Sequence, residues 1–363
     1  MQHSFFSRSP ELFRETLYSW HAGIHRPMPW VGEKDPYRIW VSEVILQQTR
    51  VDQGLSYYHR FLDAFPDLEH LAAASEEHLF KVWEGLGYYS RARNMQFTAR
   101  QLVAQQGGKF PNTYEGLLEL KGIGPYTAAA IASFAFALPQ VVVDGNVLRI
   151  ISRIWGISDS MDAAPGKRRV HEVASGILDT RQPGRFNQAL MDFGAVQCVP
   201  QRPDCSVCPF SDQCTAFSSN MVAALPSKKG KTARRNRYFH YLLPIHEGNT
   251  WVRQRPVGDI WAGLYEFPML ETAGMELDTL QWNTLDWMDA DSGCQPHSPS
   301  PVFRQTLSHQ QVFARFWKME LSMIPTSATE EWERIPLSEL TTRPFPRLIR
   351  WYIDTLSAPG LLF

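Results

Sequence analysis

The chain has 363 residues, of which 44% are hydrophobic, enough to fill two globular cores. It carries 36 Lys and Arg against 37 Asp and Glu, a net charge of −1. Bulk electrostatics therefore supplies no general attraction to nucleic acid, and any basic surface must be local. No run of about eighteen uncharged apolar residues occurs, and Met1–Glu15 has no apolar signal core, so no membrane span and a cytoplasmic protein are expected.

Residues 10–22 form an amphipathic helix with Leu12, Phe13, Leu17 and Trp20 on one side. The run His25–Trp30 (HRPMPW) is extended or looped, because proline disfavours helix in the residue before it. Asp35 and Pro36 start the next helix as N-cap and first-turn proline. That helix carries Tyr37, Trp40, Val41, Val44 and Ile45 at helical spacing, and Glu43 interrupts it. Glu43 is either a surface carboxylate at a helix edge or a partly buried one. Burial would raise its pKa toward the value a general acid needs near neutral pH. Gln47–Arg50 make a polar helix end. Residues 51–107 continue as helices with short breaks, including the turn Gly85–Tyr89 with its two aromatics.

The stretch Leu120–Asn146 (LKGIGPYTAAAIASFAFALPQVVVDGN) reads as helix hairpin, slim helix, short extended run and polar cap. Gly122 and Gly124 permit a tight turn between helices, and Pro125 suits the first turn of the second. The unpaired N–H groups at that helix start form an anion site, phosphate above all. Asp144 is an N-cap or a catalytic carboxylate. Residues 167–196 read as two helices, the second with Phe186, Leu190, Met191 and Phe193. Four of the five cysteines follow with the spacing Cys198-x6-Cys205-x2-Cys208-x5-Cys214, which is a ligand set rather than a disulfide framework and suits zinc or an iron–sulfur cluster. Cys294 stands apart as a spare thiol.

Residues 218–237 change character, with a basic run from Lys228 to Arg237 that no acid interrupts, and read as a solvated linker. Strands follow at Tyr238–His246 and Trp251–Arg255. Val302–Ser308 and Val312–Leu321 form a hairpin, and Phe345–Leu356 a closing helix, giving an α/β domain over residues 238–363.

Four segments together carry a family resemblance: Leu120–Asn146, Pro36–Val51 (PYRIWVSEVILQQTRV), Gly85–Asn94 (GLGYYSRARN) and the cysteine loop. They resemble the MutY-type adenine DNA glycosylases of the endonuclease III-like helix-hairpin-helix superfamily, over most of residues 10–217 and more weakly over the last third. The resemblance implies an all-α helix-hairpin-helix glycosylase domain over residues 1–217 with a 4Fe–4S loop at Cys198, Cys205, Cys208 and Cys214, near the DNA-facing Arg202. It implies Glu43 as the acid that protonates adenine at N7, and Asp144, oriented by Asn146, as the carboxylate facing the positive charge on the sugar. Tyr126 stands where backbone-cleaving relatives carry a Schiff-base lysine, which implies a monofunctional enzyme; its hydroxyl reaches Glu43 or the departing base. Arg26, Trp30 and Gln188 are the implied adenine pocket. Gln48 and Thr49 enter the duplex, Leu86 and Tyr88 meet the lesion side, Gly122 and Gly124 hold DNA, and Arg91 and Arg93 are candidate phosphate partners.

Trp261–Pro268 (WAGLYEFP) resembles the opening of a Nudix fold, but the acidic metal-binding helix of active Nudix hydrolases does not follow it. This domain therefore resembles the lesion-reading domain of the same family, with Leu307, Ser308 and His309 at the loop that inspects 8-oxoguanine. Val31, Lys121 and Leu307 depart from family residues. The implied partner is duplex DNA with adenine opposite 8-oxoguanine or guanine, bound by a monomer in the bacterial nucleoid. A bifunctional glycosylase of the same fold and a lesion-binding protein without catalysis are the alternatives.

Overall fold

In a computed structural model the described residues are 9–227, 233–276, 299–324 and 331–356. Cys294, most of the stretch 270–285 and residues 228–232 of the basic run lie outside them. Twelve helices are described first: α1 Pro10–Ala22, α2 Pro36–Leu46, α3 Val51–Ala64, α4 Leu68–Ala73, α5 Glu76–Trp83, α6 Ser90–Gln106, α7 Tyr114–Leu118, α8 Pro125–Phe134, α9 Gly145–Trp155, α10 Ala164–Ile177, α11 Pro183–Val196 and α12 Thr215–Ser218. Proline in the first turn opens α1, α2, α8, α10 and α11, where its missing N–H leaves no helical bond unmade. The strands β1 Arg235–Ile245, β2 Asn249–Gln254, β3 Tyr265–Glu266, β4 Met269–Thr272, β5 Phe303–Thr306, β6 Gln310–Glu320 and β7 Glu333–Pro336 precede α13 Arg347–Leu356.

By its internal contacts the chain divides into two units, Met1–Ala73 with Arg93–Gly230 and Ala74–Ala92 with Lys231–Phe363. The helical unit has a core of Val147, Ile150, Ile151 and Ile154 from α9, Phe186, Leu190 and Phe193 from α11, and Phe13 and Leu17 from α1. Phe13 stacks on Phe210 at 4.8 Å. The sequence put Leu12 on the same face, but Leu12 is exposed. Phe13 and Leu17 are four residues apart and share a stripe, and Leu12 sits about 100° round from Phe13.

The second unit holds two small sheets. One has the order β4-β1-β6-β5 and the other β3-β2-β7. β1 and β6 run parallel over their full length, from Arg235 opposite Gln310 to Ile245 opposite Glu320, while β4 and β5 pair antiparallel on either side. Register places Tyr241 on Phe316, stacked at 5.2 Å, and Phe316 stacks on Tyr352 of α13 at 4.0 Å. The basic run is not wholly a linker. β1 starts at Arg235, and Arg237 is buried, bonded to Asp259 at 2.5 and 2.8 Å and to Glu271 at 2.8 and 2.6 Å. A buried guanidinium requires such partners.

Candidate active site

Glu43 lies two turns into α2, between Ser42 and Val44, and is 6% exposed. The Asp35 side chain caps that helix by accepting from Tyr37 N at 2.8 Å. The Tyr126 hydroxyl, from the first turn of α8, donates to Glu43 Oε2 at 2.5 Å. Burial pushes the Glu43 carboxyl up to about 7; the Tyr126 bond pulls it down, and the Asp144 charge pushes it further up. Burial, the Glu43 charge and the bond to Glu43 all raise the Tyr126 hydroxyl, so it stays a donor.

Asp144 is the N-cap of α9 as well as a candidate catalytic carboxylate. Its Oδ1 accepts from Val147 N at 2.7 Å and its Oδ2 from Asn146 Nδ2 at 2.8 Å. Burial raises its pKa, opposed by the N–H donors, by Asn146 and by the Arg149 charge. The two carboxyls therefore differ in environment as a general acid and a charge stabiliser should.

Arg149 carried no signal in the sequence, yet it holds Asn146. Its Nη2 donates to Asn146 Oδ1 at 2.9 Å and to Gly194 O at 2.6 Å, and its Nε to Cys198 O at 2.7 Å. One turn on, Arg153 donates to Val199 O at 2.8 Å, Pro200 O at 3.0 Å and Leu225 O at 3.0 Å, with Cys198 Sγ at 3.5 Å. A side chain at Gly194 would meet Asn146 Cβ at 2.6 Å, so α11 approaches α9 closely only because that residue is glycine.

The four cysteines surround one cavity that Ile154, Phe193, Phe210 and Phe217 also line. Among the described residues no three His, Cys, Asp or Glu side chains form a group able to hold a single metal ion. Burial pushes the Cys208 thiol up to about 11 and raises Cys205 and Cys214 as well. Four thiolates around this space need positive charge between them. A set of four soft thiolate donors lining one cavity fits a metal–sulfur group. Arg202 is exposed on this loop.

Arg26 and Gln188 meet on one carboxylate, Asp192, at 2.6 and 2.9 Å. Trp30 lies edge-on to Tyr58 at 5.4 Å. Gln48 is exposed with φ 62°, and Thr49 N bonds to Leu46 O at 3.3 Å where α2 ends. At the hairpin, Gly122 has φ +82° and Gly124 begins α8 with no side-chain cap, so its N–H groups stay open to an anion. Lys121 sits over the Phe97 ring at 4.4 Å, and Val31 is exposed.

In the second unit the turn before α6 separates its two aromatics. Tyr89 is buried against Phe80, whereas Tyr88 is 46% exposed with φ 48°. Its hydroxyl bonds to Ser308 Oγ. Ser308 and His309 form the exposed tip of the β5–β6 turn, closed by Leu307 N to Gln310 O at 2.8 Å, and Leu307 packs on the core below. Arg91 is not an open phosphate ligand. Its guanidinium donates to Leu86 O at 3.2 Å and Gly87 O at 3.1 Å, fixing the turn that holds half-buried Leu86. No described helix is long and apolar enough to cross a membrane.

Two family models match the chain. HhH-GPD superfamily base excision DNA repair protein covers residues 41–175, and NUDIX domain covers residues 240–355. The adenine DNA glycosylase of Mus musculus is 42% identical over 228 residues, which are 60% of this chain and 44% of that one. The chain thus spans under half the length of the mouse relative. The adenine DNA glycosylase of Buchnera aphidicola subsp. Baizongia pistaciae is 32% identical over 274 residues, 75% of this chain and 76% of that one. A solved structure of a thermostable thymine-DNA glycosylase superposes with TM-score 0.54 at 27% identity, covering 58% of this chain and 98% of that chain.

Proposed function

The chain belongs to the adenine DNA glycosylase family, and on that premise we propose that, as a monomer, it excises adenine opposite 8-oxoguanine, and opposite guanine, from duplex DNA. The observation that carries the reading is Glu43, a buried carboxyl held at a pKa of about 7 beside a second carboxylate.

The adenine nucleotide is flipped out of the stack, with Gln48 and Thr49 filling the gap it leaves. Arg26, Trp30 and Gln188 receive the base. Glu43 gives its proton to N7, and the C1′–N9 electron pair leaves with the base. Asp144 stabilises the positive sugar until water adds its oxygen to C1′ and loses a proton. Tyr126 cannot form an imine with C1′, so the backbone stays intact. Gly122 and Gly124 hold phosphate, and Leu86, Tyr88, Leu307, Ser308 and His309 inspect the opposite base. Cys198, Cys205, Cys208 and Cys214 would hold a 4Fe–4S cluster, which when bound would cross-link the loop 198–214.

The test is single-turnover release of adenine from duplexes pairing it with 8-oxoguanine, guanine, cytosine or thymine, with strand scission assayed before and after alkali. Fast release opposite 8-oxoguanine, slower opposite guanine, with scission only after alkali, is expected. Borohydride trapping of a covalent adduct, or tight binding with no release while iron and visible absorbance are intact, would overturn it.

A further inference from the structure

Asp192, on α11, is 3% exposed and nothing in its sequence surroundings marks it. Its carboxylate gathers three side chains. Arg26 Nη1 reaches Oδ1 at 2.6 Å; Gln188 Nε2 and His21 Nε2 reach Oδ2 at 2.9 and 3.1 Å. Two of those partners, Arg26 and Gln188, are assigned above to the adenine pocket.

A carboxylate offers acceptors only, so Gln188 must turn its NH2 toward Asp192 and its carbonyl away. The amide cannot flip without setting oxygen against oxygen. Among the described residues Gln188 Oε1 accepts no hydrogen bond. Gln188 thus presents a fixed acceptor on the side away from Asp192. Adenine offers an N6 amino donor at the position where a 6-keto purine offers an oxygen acceptor. We propose that Asp192 is a positioning residue that sets base specificity: by fixing the Gln188 amide it admits a 6-amino purine and rejects a 6-keto purine. This rests on the adenine-excision reading and deepens it.

The test measures single-turnover release of adenine and of hypoxanthine, each opposite 8-oxoguanine, by the full chain with its metal–sulfur group in place. The quantity read is the ratio of the two rates, in which losses common to both substrates cancel. In Asp192→Asn the side-chain amide can accept or donate, so Gln188 is free to flip. The ratio is expected to fall about ten- to a hundredfold, the worth of one good base contact. Gln188→Leu should lower the ratio similarly, and the double variant should fall no further.

A ratio unchanged in Asp192→Asn, or additive losses in the double variant, overturns the proposal. So does an equal loss of both rates, the mark of a merely structural role. If Asp192→Asn does not fold, Gln188→Leu decides: an unchanged ratio overturns the proposal and a collapsed ratio supports it. If the wild type releases adenine from no duplex, the broader reading fails and takes this one with it.

Discussion

Substituting Glu43 by Gln should slow catalysis and make the protein more stable, by an amount that depends on pH. The folded carboxyl titrates near 7 rather than 4.5, chiefly because burial disfavours its charge. For an acid whose folded pKa is raised, the two states differ nothing in protonation below the unfolded value. Stability is lost as pH rises from there through the folded value, and the loss is then constant. A shift of this size is worth about 3 kcal/mol at pH 8 and about half that at pH 5.5. Glu43→Gln is uncharged and nearly isosteric, so it escapes that cost. Thermal unfolding of the helical unit should shift upward by about 6–12 °C at pH 8 and by about half as much at pH 5.5. Adenine release should fall at least about a hundredfold, the contribution of a general acid. Melting by circular dichroism, paired with single-turnover release across this pH range, measures both. A variant no more stable than wild type at pH 8, or stabilised equally at both pH values, would refute the argument from burial.

Tyr126→Phe removes a donor to the ionised form of Glu43, a bond worth about 1.5 kcal/mol, or about one pH unit. The alkaline limb of adenine release should move up by about that unit, and a limb that stays or moves down contradicts the assignment. Gly122→Val puts a β-branched residue at φ +82°, with its Cβ 2.7 Å from Asn94 Cβ. It should cost about 2 kcal/mol in melting and weaken duplex binding equally for all base pairs in a titration. Arg149→Leu releases Asn146 and the carbonyl of Cys198 together. It should speed the loss of visible absorbance under a chelator and slow adenine release, and a variant slowed in release with absorbance as durable as wild type would separate the two functions.

Local signals explain why some of the site was legible. Asp35 and Pro36 announced α2, whose apolar spacing made the interruption at Glu43 visible, and the structure buries it. Asp144 was readable as cap or catalyst because it follows three valines and precedes Gly-Asn, and it is bonded as a cap while lying against Glu43 electrostatically. The β5–β6 hairpin was visible from alternation alone. Asp192, Arg149 and Arg153 were not, because their meaning lies in distant partners. Arg26 and Asp192 are 166 residues apart, and a single Asp on an ordinary helix has no local signature. The same holds for Arg91, whose charge read as a phosphate ligand because nothing local showed the carbonyls it binds. The parallel pairing of β1 and β6 is likewise invisible to periodicity, which reports a strand's faces and not its neighbours.

Helix position separates the two carboxyls. Glu43 sits in the body of α2, where backbone N–H groups are already bonded and the Tyr126 hydroxyl is the donor that opposes desolvation. Asp144 sits at the N-terminus of α9, where open N–H groups and the helix dipole favour negative charge, and Arg149 one turn along adds a cation. Burial pushes both upward; at Asp144 the Val147 and Asn146 donors and the Arg149 charge oppose it, at Glu43 the Tyr126 hydroxyl alone. The acid role proposed for Glu43 and the charge-stabilising role proposed for Asp144 follow this difference in donors. Glu43→Asp would keep the acid but shorten its reach to Tyr126. Asp144→Asn would keep the cap but remove the charge, so the two losses have different causes although both side chains are carboxylates.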